Sequence, residues 1–88
     1  MAREQFELSA TQSQLLEQLM KECDLPTKKA VVENALVLLG WAVREIKGGR
    51  TIAAVKESEK LYRELTMPAL ETVRRKAQAE EHALQSGD

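Results

Sequence analysis

With 88 residues, the chain is predicted to form one small domain, near the size at which a single hydrophobic core is marginal and association often supplies the remaining stability. Its 13 basic and 14 acidic residues give a net charge of −1 at pH 7, which excludes general basicity as the basis of nucleic-acid binding. One cysteine excludes an intrachain disulfide, and one Trp, one Tyr and one Phe are too few for a surface that stacks single-stranded bases.

The first predicted element is a strand from Arg3 to Ser9, because its apolar and polar side chains alternate. Phe6 and Leu8 form its apolar face. The opposite face is polar and consists of Gln5, Glu7 and Ser9. Two apolar side chains do not stabilise a lone strand in water, so this strand needs a partner strand. No segment in the next forty residues has a strand pattern.

A helix follows, for which Ser9 and Gln12 have the spacing of a capping box and Thr11 is the alternative cap. Its apolar face recurs at helical spacing and consists of Leu15, Leu16, Leu19, Met20 and Cys23. We interpret Cys23 as an inert thiol packed on this face. A short connection at residues 24–27 leads to the next helix.

The second helix is predicted to begin at Lys28, after a cap at Thr27, and to end at Lys47 before Gly48 and Gly49. From Ala35 to Val43 every residue except Gly40 is apolar, which is more than the single stripe of an amphipathic helix. The apolar segment is far shorter than the roughly 18 residues of a membrane span, so protein must cover it.

A second copy of the same helix is the simplest cover for this apolar segment. Gly40 supports that interpretation, because a glycine inside a helix costs about 1 kcal/mol relative to Ala. Close approach of another backbone at Gly40 would explain why the loss is tolerated.

After Gly49, two interpretations of residues 51–67 remain open. Residues 51–55 and 61–67 are predicted as two strands of a hairpin joined by the charged sequence KESEK. Alternatively, the same segment forms a helix, since Ile52, Val55, Tyr62 and Leu65 lie near helical spacing. Pro68 then suits the first position of a polar helix at residues 69–83. Its basic residues, interpreted as a solvated face, are Arg74, Arg75 and Lys76.

The sequence QFELS leading into LSATQSQLLEQLMKECDLPTKKAVVENAL resembles the ribbon-helix-helix family of dimeric DNA-binding repressors and antitoxins, over residues 3–48. The segment GRTIAAVKESEKLYRELTMPAL resembles a hairpin extension of some bacterial members. The resemblance implies a mainly α fold: an intertwined ribbon-helix-helix homodimer whose N-terminal strands pair and enter the major groove of double-stranded DNA. It implies a dimerisation and DNA-binding region at 1–49, a β-hairpin at 50–67, and a polar C-terminal helix and tail at 68–88.

The resemblance also implies three sets of site residues. The base-reading set is Gln5, Glu7 and Ser9. The phosphate-binding set is Arg3, Thr27, Lys28 and Lys29. The dimer-core set is Phe6, Leu8, Leu36, Leu39, Gly40, Trp41 and Val43. Glu7 departs from the family pattern, in which Arg or Lys is common on the reading face, and its carboxylate lowers the expected affinity for DNA.

The predicted function is therefore that of a homodimeric, cytoplasmic transcriptional regulator that binds specific DNA sequences. The lone cysteine and the lack of a signal peptide underlie the predicted compartment. The alternative is a protein-interaction module, for example an antitoxin-like protein that binds a toxin through residues after Gly49. The chain lacks a zinc-ligand pattern, a glycine-rich phosphate loop and an activated nucleophile, so we expect no enzyme activity, no cofactor and no metal.

Overall fold

The computed structural model describes residues 7–86, in the order helix, helix, hairpin, helix. The helices are α1 (Ala10–Glu22), α2 (Lys28–Lys47) and α3 (Pro68–Ser86). Strands β1 (Ala53–Lys56) and β2 (Leu61–Glu64) pair antiparallel across a 3-10 turn at Glu57–Glu59. Contacts within the chain divide it after Val37 into two compact units.

The predicted N-terminal strand is not present in residues 7–9, which precede α1 without regular structure. The rest of that prediction, Arg3–Phe6, lies outside the described residues. A strand needs backbone hydrogen bonds to a partner strand, whereas the backbone N–H of Ser9 donates to the Gln12 side chain. The predicted fold class, a ribbon-helix-helix homodimer with an N-terminal strand, is therefore wrong. The described chain has three helices, and its two-stranded sheet follows α2.

The predicted capping box at the start of α1 is confirmed. The backbone N–H of Gln12 donates to Ser9 Oγ at 3.1 Å, and the backbone N–H of Ser9 donates to Gln12 Oε1 at 3.0 Å. Ser9, not Thr11, is the cap. No residue of α1 is buried in the single chain. Cys23, at the C-cap, is exposed, so the prediction that its thiol is packed is wrong.

A left-handed residue ends α1. Asp24 has φ of 52°, its N–H donates to the Lys21 carbonyl at 3.4 Å, and the N–H of Leu25 donates to the Met20 carbonyl at 2.8 Å. These two hydrogen bonds form a Schellman motif, in which the left-handed position is usually glycine. The motif leaves Leu25 and Met20 half-buried and reverses the chain toward α2.

The hairpin interpretation of residues 51–67 is confirmed, and the helical alternative is wrong. The register places Ala53 opposite Glu64 and Val55 opposite Tyr62. Lys60 closes the turn with φ of 53°, a left-handed conformation. Because α2 has already ended at the glycine pair, the apolar residues after it are free to pair across the KESEK turn.

The helix after Pro68 is also confirmed, and its first turns complete the core of the second unit. Ala42, Ile46 and Leu70 are its buried side chains, with exposed fractions of 4%, 3% and 1%. Its half-buried neighbours are Val43, Ile52 and Val73. This core is small for the apolar content of the chain, so many large apolar side chains stay on the surface.

Candidate functional site

The first turn of α2 presents a cap and two lysines on the surface. Thr27 Oγ1 accepts a hydrogen bond from the backbone N–H of Ala30 at 3.1 Å, which confirms Thr27 as the cap. Lys28 and Lys29 follow directly and are exposed. All three predicted phosphate-binding residues of this turn therefore lie together within one helical turn.

The electrostatics of this turn favour an anion. A helix N-terminus carries a partial positive charge and is normally occupied by acidic side chains, but the first turn of α2 has none. Among the described residues, no carboxylate pairs with Lys28 or Lys29. Two lysines at this position are unfavourable for the isolated helix, and a bound phosphate would offset that repulsion.

The predicted base-reading residues are only partly described. Gln5 and Arg3 lie outside the described residues, as does Phe6 of the predicted dimer core. Glu7 is exposed, whereas the Ser9 hydroxyl accepts the capping hydrogen bond of Gln12. A base contact by Ser9 would thus have to share or replace that hydrogen bond.

The middle of α2 exposes a continuous set of large apolar side chains. Leu36, Val37 and Leu38 leave 64%, 72% and 64% of their surface exposed, and Trp41 leaves 43%. We call this set, with Leu39, the α2 apolar surface. The sequence-based dimer core included three of its residues, Leu36, Leu39 and Trp41. It omitted Val37 and Leu38, although the unbroken apolar sequence from 35 to 43 contained them.

Two further residues of the predicted dimer core, Val43 and Leu8, lie outside the α2 apolar surface. Val43 is half-buried against the core of the second unit. Leu8 is 46% exposed ahead of α1. Predicting that Val43 is used within the chain would have required knowing that α3 returns to pack on α2.

Gly40 lies among the residues of the α2 apolar surface and is half-buried. A Cβ placed there would meet only the Arg44 guanidinium, at 3.6 Å. Nothing within the described chain therefore requires a glycine at this position.

No family model, curated protein or solved structure matches this chain. The resemblance to the ribbon-helix-helix family stays a prediction from the sequence. Among residues 7–86, each helix is too short or too polar to cross a lipid bilayer.

Proposed function

We propose that this chain is a homodimeric DNA-binding regulator whose copies meet at the α2 apolar surface and bind phosphates with the first turn of α2. The proposal does not use an N-terminal strand. The observation that carries the DNA-binding part is the pair of exposed lysines beside the Thr27 cap, at a helix N-terminus without acidic residues.

The dimer part is supported by the extent of the exposed apolar surface. Leu36 to Leu39 and Trp41 together expose on the order of 500 Å² of mostly apolar area, which is near the largest patch of a typical monomer. Two copies that cover this area, with the polar rim around it, would bury roughly 1,000 Å² or more, enough for a specific interface. Gly40 carries no side chain, and the only atom near a Cβ at this position is the movable Arg44 guanidinium, so two helix backbones can approach closely here.

The dimer is tested by Val37→Lys. Since Val37 is 72% exposed in the single chain, the substitution costs the monomer little stability. In the dimer it places a charge in an apolar interface, so sedimentation velocity should show the mass falling by half. The matched control, Val55→Lys, changes a residue of similar exposure, 62%, on the hairpin, and should keep the α2-mediated dimer.

DNA binding is tested by a mobility-shift assay on genomic fragments at about 50 mM salt, where phosphate contacts give even non-specific binding. Two copies of Lys28 and Lys29 provide about four phosphate contacts, so the slope of log K against log salt should be near −3.6. Lys28→Ala with Lys29→Ala should remove most of that slope and weaken binding to all sequences alike. The control, Lys47→Ala with Lys76→Ala, removes two lysines elsewhere and should preserve it.

Sequence preference is assigned in this proposal to residues 5–9. Gln5→Ala should change which DNA sequences are bound without changing the salt slope, because a glutamine reads adenine through hydrogen bonds and contributes no charge. Unchanged preference would remove Gln5 from the proposed reading residues.

The alternative function is a protein-interaction module, as in antitoxin-like proteins, and the net charge of −1 together with exposed Glu7 favours it. Absence of any DNA binding at low salt, with an intact dimer, would select this alternative. In either case we place the protein in the cytoplasm, because a lone cysteine suits a reducing compartment.

A further inference from the structure

An open groove runs between the last turns of α2 and the face of α3 that packs on them. Its volume is about 820 Å³. On the α2 side its wall ends in Gly48 and Gly49, which add no side chains. The chain therefore leaves room beside α3 for another element. The apolar floor of the groove consists of Val43, Ile46, Val73 and Ala77.

The second half of α3 is uncovered. Leu70, in its first turn, is only 1% exposed, whereas every residue from Gln78 to Ala83 is exposed. Helices in proteins gain most of their stability from a packed apolar face, so a long uncovered segment is unfavourable. An element that filled the groove would also cover the face of α3 from Ala77 onward.

The charges of α3 that line the groove are arranged around Ala77. Two basic residues, Arg74 and Lys76, precede it, and two acidic residues, Glu80 and Glu81, follow it. At about 100° per residue, Arg74 and Glu81 lie on one flank of the helix face centred on Ala77. Lys76 and Glu80 lie on the other flank. Each flank thus carries one basic residue and, further along the helix, one acidic residue.

These charges are largely unpaired within the chain. Among residues 7–86, no ion pair includes Lys76, Glu80 or Glu81. Arg74 Nη2 lies 4.0 Å from Glu64 Oε1, a long contact between two partly exposed side chains. The four groove charges are therefore available to a partner.

We propose that α3 of a second copy lies antiparallel along the groove, with the two-fold axis next to Ala77. Reversing the direction of the helix brings the basic end of each flank against the acidic end of the same flank. Arg74 then faces Glu81 of the second copy. On the other flank, Lys76 faces Glu80 of the second copy. The symmetry repeats both pairs, which gives four ion pairs around one axis.

The same charges select this orientation over a parallel one. A parallel pair in register would set Arg74 against Arg74 and Glu81 against Glu81, and like charges in contact are unfavourable. Both antiparallel pairs require the same axis, between Ala77 and Gln78. The surface is thus complementary to itself, which indicates a second copy as the occupant. The apolar floor supplies the buried area, and the charges fix direction and register.

The inference goes beyond the proposed function and does not rest on it, because the groove and the α2 apolar surface share no residue. If both surfaces are used, each α2-mediated dimer offers two α3 grooves, and dimers join into larger assemblies.

Charge reversal tests the pairing by sedimentation velocity in the Val37→Lys background, where α2-mediated contacts are lost and α3 alone holds two copies together. The background protein should have the mass of two chains. Arg74→Glu and Glu81→Arg each create two like-charged pairs, so each should give the mass of one chain. The double variant restores opposite charges and should restore the mass of two chains.

Arg75→Glu is the matched control. It makes the same change of charge as Arg74→Glu, but on the face of α3 opposite Ala77, and should keep the mass of two chains. Arg74→Glu also removes the contact with Glu64, whereas Glu81→Arg disturbs no ion pair of the described residues. Glu81→Arg is therefore the decisive single variant.

A cysteine cross-link tests the axis independently. In a Cys23→Ser background, Ala77→Cys should form an intermolecular disulfide, because helices that cross at an alanine bring the two Cα atoms within about 7 Å. Ala79→Cys, exposed on the opposite face of α3, should not. A single-chain mass for the Val37→Lys protein, an unchanged mass in Glu81→Arg, failure of the double variant to recover the mass, or equal cross-linking at 77 and 79 would each overturn the proposal.

Discussion

Arg50 binds Glu45 through both its backbone and its side chain. The Arg50 N–H donates to the Glu45 carbonyl at 3.0 Å, and Arg50 Nη2 donates to Glu45 Oε2 at 3.1 Å. The hydrogen bond and the negative charge of Glu45 raise the pKa of the guanidinium above its ordinary value. The Gly49 N–H donates to the Ile46 carbonyl at 3.0 Å. This hydrogen bond and the one from the Arg50 N–H to the Glu45 carbonyl form a Schellman motif that ends α2.

Gly49 holds the left-handed position of this motif, and we expect Gly49→Ala to destabilise the protein. Its φ is 84°, a region in which a Cβ costs about 1 kcal/mol or more. Gly48→Ala is the comparison variant, because it adds no left-handed strain, although a Cβ there lies 2.6 Å from Arg50 Nη2 and displaces the exposed Arg50–Glu45 ion pair. Denaturant unfolding should therefore show a larger decrease in the free energy of unfolding for Gly49→Ala than for Gly48→Ala. An equal decrease would contradict the role of Gly49 as the left-handed residue of the motif.

Asp24 occupies the corresponding left-handed position after α1, where a residue with a Cβ is strained. Asp24→Gly should stabilise the fold by up to about 1 kcal/mol, because relief of the left-handed strain exceeds the added entropy of the unfolded chain. Asp24→Val should destabilise it, since branching at Cβ makes positive φ least tolerable. Thermal unfolding of both variants checks this order, and the reverse order would show that Asp24 is not strained.

Ser9 is expected to contribute about 1 kcal/mol as the cap of α1. Ser9→Ala removes the acceptor of the Gln12 N–H and should lower the free energy of unfolding by that amount. Thr11→Ala, at the alternative cap position, should cause no comparable loss because Thr11 lies inside the helix. A larger loss from Thr11→Ala would transfer the capping role to Thr11.

Gly40→Ala is expected to act in opposite directions on the single chain and on the proposed dimer. In a dissociated chain, Gly40→Ala should stabilise α2 by about 1 kcal/mol, because the added Cβ meets no close atom. In the dimer, the same methyl group should push the two helices apart and raise the dissociation constant.

The comparison needs unfolding at high dilution and sedimentation equilibrium for the same variant. Glu33→Ala, which also improves helix propensity at an exposed position, is the control and should leave dimerisation unchanged. A dimer that tightens with Gly40→Ala would show that no backbone approaches there.

The amino-acid sequence by itself determined the parts of this protein that depend on neighbouring residues. Ser9 with Gln12, Thr27, the Gly48–Gly49 pair and Pro68 mark helix ends through hydrogen bonds or backbone preferences that reach only a few residues along the chain. The cap and the two exposed lysines from Thr27 to Lys29 were located for the same reason, since they are consecutive; their phosphate-binding role is a proposal from the family resemblance.

Tertiary structure decided what depends on distant partners. The strand pattern near Ser9 has no partner strand in the described chain, and the segment from 51 to 67, predicted as a hairpin, was also compatible with a helix until β1 and β2 paired. Only packing against Leu70 showed that Ala42, Ile46 and Val43 serve the core, while Leu36 to Leu38 stay exposed. Helix ends are set by local hydrogen bonds, but strands and buried faces exist only where another part of a protein meets them.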